Sequence, residues 1–580
     1  LAILCKHNYG DIVVEIMKRY NEPIELIIEY RQDPLMKTVP DIAADLEAAG
    51  IPVEKTAPLF KQVVESKELP ADSELTTKVT VRTAVNDVEV HPWDLAHAAL
   101  NSGTNYRFIE PDLWQEYTVD DKMPDHFDTT SAKSFGTEAK GDDVDPDWPP
   151  SQNLVWHLDD DHSQLGSARK EVAELDDYVV RIGHLDTGYT DHFAIPQKIR
   201  DNPYQQNFIE DEQADKALDI GSKGMLRQPY HGTGTGGILA GDKIQLTTAT
   251  GEFNDYLGAA YFAEVISCRI SKSVILFKTS AFAQALNYLT DLVHNGTQVH
   301  VVSMSMGGAP SRAWADAVNA AYDAGITIVT AAGNNFAGLP TRHVVYPARF
   351  HRVIAACGVT YTNAPYYTSL INEMQGNYGP SKDMQKALAA FTPNILWANY
   401  TTGTVQFNGA GTSSATPQIA AAAAIYYKKN HQELDAAEPW QRVEAIRNAL
   451  FSTAKKTVKP GFGDYSQYFG NGIIQASDAL KVPVKTDIAQ TPEDSSPWFP
   501  ILNTLFKEVP DEKQQSRLDM FNTELWQLLY SYPELARQIG DDEVDFNEIS
   551  ALHWDAFTNA VMEHLAASKT LKAFLKSKFN

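Results

Sequence analysis

The feature that most constrains this chain is the stretch from Asn408 to Ile425, NGAGTSSATPQIAAAAAI. It opens on small residues, passes through Gly411-Thr412-Ser413, and becomes an almost unbroken run of small apolar side chains. Pro417 sits just inside that run. Its missing N–H costs nothing there, because the first N–H groups of a helix have no internal partner. The alanines at 420 to 424 leave no polar face, so the helix they form lies inside the protein. The stretch predicts a tight loop feeding a buried helix, with Ser413 at or near the helix N-terminus. A hydroxyl and a free backbone N–H then point the same way, which is half of a nucleophilic site with an oxyanion hole. The same letters also describe a glycine–serine loop ahead of a core helix.

A serine hydroxyl needs a base, and the base needs an orienting group. His231 opens HGTGTGGILAG, a polar turn followed by glycines and apolar residues. Asp186 ends the apolar run from Val179 to Leu185 and precedes Thr187-Gly188. That run reads as a buried strand whose carboxyl end presents an aspartate, where functional groups gather in open parallel sheets. The chain order is Asp186, His231, Ser413, one of the orders in which such a triad is built.

The segments HLDTGY, HGTGTGGILAG, VVSMSMGG, TAAGNN and GAGTSSATP resemble the sequence blocks of the subtilisin-like serine proteases, in that family's order. YPARFHRVIAACGV from Tyr346 and FGNGIIQASDAL from Phe469 also fit, and the likeness covers residues 150 to 485. The resemblance implies an α/β fold with a parallel sheet flanked by helices. It implies a serine endopeptidase acting on protein or peptide substrates, with Asp186, His231 and Ser413 as triad and Asn334 as side-chain oxyanion donor. Ser305, Met306, Gly307 and Gly308 would bind substrate backbone. No cofactor is required; structural calcium is allowed for, with no ligands assigned.

This chain departs from the family pattern at three places. Gly234 stands where a second histidine is common, Ser414 where methionine is, and Gln418 where histidine is. None carries the chemistry, so they bear on substrate preference. A sedolisin-like protease, with a carboxylate base, is the runner-up enzyme, and the HGTG and AAGN blocks argue against it. The alternative from another class is a binding protein on a protease scaffold, catalytically silent or permanently autoinhibited.

The 580 residues suffice for several domains, and 43% hydrophobic content permits a large core. The net charge of −26 argues against nucleic acid and acidic membrane surfaces as partners. No apolar run approaches the ~18 residues of a membrane span. Cys5, Cys268 and Cys357 give neither a disulfide framework nor metal spacing. No secretory signal is visible, which slightly favours a cytoplasmic setting. The first residue is Leu1 rather than methionine, so secretion stays open.

Four regions are expected. Residues 1–116 read as a helix up to about residue 22 and then βαββαβ, a ferredoxin-like α+β lobe. Subtilisin-like proteases often carry such a lobe as a propeptide, and YRFIEPDLW is similar to the end of one. The lobe is therefore expected to act as an intramolecular inhibitor. Its strand at 106–112, or the chain just after it, should lie along the substrate cleft as an added strand, with main-chain hydrogen bonds like a substrate's. Residues 117–152 read as an acidic, proline-containing linker. Its Asp142, Asp143, Asp145 and Asp147, like Asp159-Asp160-Asp161, are read as solvated charge before calcium ligands. Residues 153–485 alternate strands and helices as a parallel sheet demands. Gly232 to Gly237 matches GxGxxG by letter, but no strand precedes it, which excludes a dinucleotide site. From 486 to 580, after Pro492, Asp494 and Pro497 as linker, four helical patterns suggest a small helical domain.

Overall fold

The computed structural model describes residues 23–32, 42–60, 75–85, 90–103, 105–116, 154–173, 175–210, 212–221, 230–248, 251–274, 276–336, 343–366, 374–495, 511–539 and 551–579. The expected helix before residue 22, the linker at 117–152 and the first of the four expected C-terminal helical patterns, at 499–509, lie outside these residues.

The N-terminal lobe follows the expected order: β1 (Glu25–Gln32), α1 (Ile42–Ala48), β2 (Val53–Pro58), β3 (Leu75–Thr83), α2 (Pro92–Leu100) and β4 (Tyr106–Pro111). The antiparallel sheet order is β2-β3-β1-β4, as in a ferredoxin-like fold. Pro92 opens α2, where its fixed φ suits a first helical turn. Strand β1 lacks a clean apolar–polar alternation because both of its faces are covered. Leu26, Ile28 and Tyr30 pack within the lobe, while Ile27 joins the core shared with the catalytic domain. A short strand, β5 (Trp114–Glu116), follows the lobe.

The central domain begins with α3 (Leu165–Ala173). It continues through β6 (Arg181–Asp186), β7 (Gln206–Asn207), α4 (His231–Ala240), the hairpin β8 (Lys243–Thr248) and β9 (Gly251–Tyr256), and β10 (Glu264–Arg269). Strands β11 (Ser271–Ser273) and β12 (Leu276–Lys278) lead into α5 (Thr279–His294), β13 (Val301–Met304), α6 (Arg312–Asp323) and β14 (Thr327–Ala331). Then come β15 (Asn334–Phe336), β16 (Val353–Val359), β17 (Met374–Gly376), β18 (Ala387–Phe391), β19 (Ile395–Asn399), β20 (Thr404–Gly409), α7 (Gly411–Ala436) and α8 (Pro439–Thr453). Seven strands form one parallel sheet, order β18-β16-β14-β13-β6-β10-β7. Helices cover both faces, so β14 and β16 are buried at every residue and read as unbroken apolar runs. The chain fills one side of β6 first and then crosses to β13. The carboxyl ends of these two strands flank a topological switch point, where open sheets bind ligands.

Helix α7 is the buried helix that the alanine run predicts. It packs on β13, β14, β16 and β18, and its residues from Gly411 to Lys428 are all buried.

The C-terminal helices are α9 (Glu512–Ser531), α10 (Ala551–Glu563) and α11 (Lys569–Phe579). They are not a free-standing bundle. Phe521, Leu525, Trp526 and Phe557 join one core with Leu286, Trp314 and Val318 of α5 and α6. The approach to them also differs from a linker. Asp494 is buried, and its carboxylate accepts the backbone N–H groups of His351 (2.6 Å) and Arg352 (3.0 Å).

The lobe docks through its last strand. Glu110 accepts hydrogen bonds from Ser311 Oγ (2.9 Å) and Ala313 N (3.0 Å) at the start of α6. Asp112 accepts from Ser280 N (2.8 Å) and Ser280 Oγ (2.6 Å) in the first turn of α5. Two carboxylates of the lobe thus meet two helix N-termini whose N–H groups have no internal partners. Beyond them β5 pairs antiparallel with β12, Lys278 opposite Trp114, as a third strand on β11–β12.

Candidate active site

Asp186 is the last residue of β6, fully buried. His231 is the first residue of α4, and its Nδ1 lies 2.8 and 3.1 Å from the two Asp186 oxygens. Asp186 also accepts from Thr187 N (2.7 Å) and Thr235 Oγ (3.0 Å). Burial alone would raise this carboxyl. The charge and hydrogen bond of His231 outweigh it and hold the group below the usual carboxylate range. With Nδ1 facing a carboxylate, Nε2 of His231 is the nitrogen left to accept a proton.

A second histidine, His184, stands 3.8 Å from Asp186. Its Nε2 donates to Thr235 Oγ (2.9 Å), which itself donates to Asp186. Burial keeps the His184 pKa below the histidine range despite Asp186, so it stays neutral. Thr235 lies four residues after His231, one helical turn on, and that spacing is the signal that could have marked it.

Ser413 is the third residue of α7, so its N–H has no intrahelical acceptor. Helix α4 packs directly on α7. The Ser413 hydroxyl donates to the Ser305 carbonyl oxygen (3.3 Å), and Ser305 Oγ donates back to the Ser413 carbonyl (3.0 Å). This ties the end of β13 to the first turn of α7.

Asn334 sits just past β14 and faces the same turn. Its Oδ1 accepts from Thr412 N (2.8 Å) and Thr412 Oγ (3.1 Å), which fixes the amide orientation. The amide lies against Gly411, where a Cβ would come within 2.9 Å of Nδ2 and 3.1 Å of Oδ1. Gly411 also has φ of +71°, so two independent constraints demand glycine there. Thr412, which holds this amide in place, carries no signal in the sequence that would single it out.

Of the remaining expected residues, Ser305 and Met306 are buried, and Gly307 is half-buried. The Gly308 N–H and C=O are both bonded to Tyr346, at 2.8 and 3.1 Å. Among the described residues, no group of three or more His, Cys, Asp or Glu is arranged to hold a metal ion. No helix there is long and apolar enough to cross a membrane.

Gly234 has a structural reason. A Cβ there would lie 1.7 to 2.2 Å from three atoms of the Trp397 indole. That indole, on β19, also stands against the His231 imidazole, ring centres 5.4 Å apart and edge-on. The sequence showed only the departure at Gly234; the residue filling the space is more than 160 positions away and was not singled out. Gly234→Ala is expected to destabilise the protein by about 3 kcal/mol through overpacking. A second substitution, Trp397→Leu, should recover part of that loss in thermal melts. Strictly additive losses would mean the two sites do not compete for space.

Residues 179–472, just over half the chain, match the Subtilase family (Peptidase_S8). The chain is 29% identical over 251 residues to M-protease of Shouchella clausii (strain KSM-K16), covering 43% of this chain and 56% of that protein. It is 30% identical over 253 residues to Subtilisin DY of Bacillus licheniformis, covering 43% of this chain and 78% of that protein. It is 30% identical over 240 residues to the Extracellular serine proteinase of Thermus sp. (strain Rt41A), covering 41% and 48% respectively. The chain belongs to the subtilase family of serine proteases.

Proposed function

We propose that the protein hydrolyses peptide bonds with Ser413 as nucleophile, His231 as base and Asp186 as its orienting carboxylate. The observation that carries this reading is the Asp186–His231 hydrogen bond at the start of α4, a helix packed on α7, whose first turn holds Ser413 beside an amide with its oxygen already occupied. In the reaction, Ser413 Oγ exchanges its bond to the Ser305 carbonyl for one to His231 Nε2. It attacks the scissile carbonyl as Nε2 takes its proton, and Nε2 then gives that proton to the leaving amine. Asp186, already ionised, stabilises the imidazolium. Asn334 Nδ2 and the Ser413 N–H receive the developing oxyanion. Half-buried Gly307, on the chain leaving β13, is assigned to substrate backbone together with its neighbours Ser305, Met306 and Gly308. Calcium enters no step.

Asn334→Ala tests this. It should lower kcat by roughly 10²–10³ with little change in KM, the effect of the corresponding donor in subtilisin. A loss through KM alone would make Asn334 a substrate-binding residue only.

We further infer that residues 1–116 are an intramolecular inhibitor, supported by the added strand β5 and by the two carboxylate caps. A second reading, a permanently held binding protein, is favoured by how thoroughly the lobe is enclosed. The name of the Thermus relative gives the cytoplasmic expectation no support.

Docking of the lobe should depend on pH. Burial pushes the Glu110 carboxyl up to about 7 against its bonds from Ala313 and Ser311. Burial likewise pushes Glu524 of α9, which faces His97 of the lobe at 4.0 Å, up to about 8. Each holds a proton when docked that it sheds when exposed. The stability this adds is full below the usual carboxylate range and is lost as pH rises through 7 and 8. Asp112, raised to about 6, has spent its contribution by then. Burial lowers His91 and His97, so they are neutral when docked and add little above pH 7. Lobe affinity should therefore fall by roughly tenfold between pH 7 and 9 once the linker is cut. A dissociation rate unchanged or slower at pH 9 would contradict this.

A further inference from the structure

The outward side of the lobe is closed by the other end of the chain. Helix α2 of the lobe is buried around nearly its whole circumference; Trp93 and His97 are each 3% exposed. His97 lies against Phe521 of α9, ring centres 4.5 Å apart, with neither ring nitrogen hydrogen-bonded. Met520 of α9, fully buried, belongs to the lobe's own core with Leu26, Tyr30 and Trp93. A lobe built to separate freely would turn a polar face outward here.

The polar contacts are as specific. Trp93 Nε1 donates to Gln527 Oε1 (3.0 Å), and Gln527 Nε2 donates to the Pro310 carbonyl just before α6 (3.0 Å). One buried side chain of α9 thus joins the lobe to the catalytic domain. Arg312 of α6 makes a similar junction, bonded to Glu29 of β1 (2.9 and 3.1 Å) and 3.6 Å from Asp519 of α9. Asp94 of the lobe accepts from Lys569 N (3.1 Å), Thr570 N (2.8 Å) and Thr570 Oγ (2.6 Å), capping α11.

We propose that α9 to α11 form a docking surface for this chain's own N-terminal lobe, and that the lobe stays on as a noncovalent subunit after the connecting segment is cut. The proposal rests on the reading of the lobe as an inhibitor and says what governs its release. Hydrolysis of one peptide bond in that segment, consuming one water, would remove the tether and its high local concentration. The lobe would remain seated, because its sheet face lies on the catalytic domain and its helix face on the C-terminal helices. Both faces must separate together for it to leave.

The test uses the full chain carrying Ser413→Ala, so that nothing is degraded, with a recognition site for an unrelated protease inserted in the 117–150 segment. After complete cutting and dilution to nanomolar concentration, the lobe should co-elute with the remainder in size exclusion. Asp94→Ala and Gln527→Ala should each speed lobe dissociation roughly tenfold. Melting of each uncut variant reports its folding, and if Gln527→Ala is unfolded the Asp94→Ala rate decides. A lobe that separates on dilution, or a folded variant with an unchanged rate, overturns the proposal. The same cut is made in the chain with Ser413 intact and assayed on a small peptide. Full activity with the lobe still co-eluting would refute inhibition and leave the docking surface standing. Low activity with clamp variants that release the lobe no faster would do the reverse.

Discussion

Ser413→Ala should abolish peptide hydrolysis, on the order of 10⁶ in kcat as for the nucleophile of subtilisin itself. It should also abolish labelling by a fluorophosphonate in protein freed of its lobe. The fold should survive. The substitution removes one hydroxyl whose hydrogen bond, to the Ser305 carbonyl, is 3.3 Å long, and leaves the return bond from Ser305 Oγ in place. A loss of about 1 kcal/mol or less is expected in denaturant melts. Mapping the label by mass spectrometry makes the assignment exposed to failure. Ser305 and Ser414 are close neighbours of the site, but Ser414 Oγ donates to the Ala410 carbonyl (3.1 Å) and is fully buried. Label that persists on either serine in the variant would remove Ser413 from its role.

Asp186→Asn should lower kcat by about 10⁴, through the wrong imidazole tautomer. The carboxylate accepts from Thr187 N, Thr235 Oγ and His231 Nδ1 at once. An amide has one accepting oxygen for these donors. Its NH₂ must face at least one of them, and facing His231 it would turn Nδ1 into an acceptor and place the ring proton on Nε2. The substitution also bears on stability. The Asp186 pKa is held below its unfolded value, so the carboxylate stabilises the fold above the usual aspartate range and ceases to do so as pH falls through its lower, folded value. The Asp186→Asn variant should therefore show a flatter acid limb in a melting-temperature profile. A kcat within tenfold of the parent, with KM raised instead, would show that Asp186 does not orient the base.

How far the residues alone disclose the fold and the site depends on how local each signal is. The α7 helix was legible because five adjacent alanines and Pro417 act within two turns. The positions of Asp186, His231 and Ser413 are legible because each lies at the end or in the first turn of an element whose pattern is contiguous. Strand β1 is legible as the short apolar run IELIIEY, although Ile27 breaks its alternation because both faces of the strand are covered. Trp397 was not legible, since it acts by occupying space beside Gly234 and only the fold brings them together. The same holds for Asp494, whose sequence surroundings of proline and acidic residues look solvated. Its burial depends on two N–H groups of His351 and Arg352 that need an acceptor. The C-terminal helices showed their apolar stripes, but a stripe does not name its partner.

The hydrogen bond between Trp93 and Gln527 spans 434 positions of sequence. On the ribosome that separation is a matter of timing. Domains generally fold as they emerge, at about 5–20 residues per second. The lobe and the sheet can meet well before α9 exists, and residues 511–579 then need several more seconds to appear at that rate. During that interval the apolar side of α2 and the outer faces of α5 and α6 are open to water and to other nascent chains. A messenger truncated ahead of the codon for Asp511 would make this interval permanent. Its product should aggregate or be degraded even though Asp186, His231 and Ser413 have all been translated.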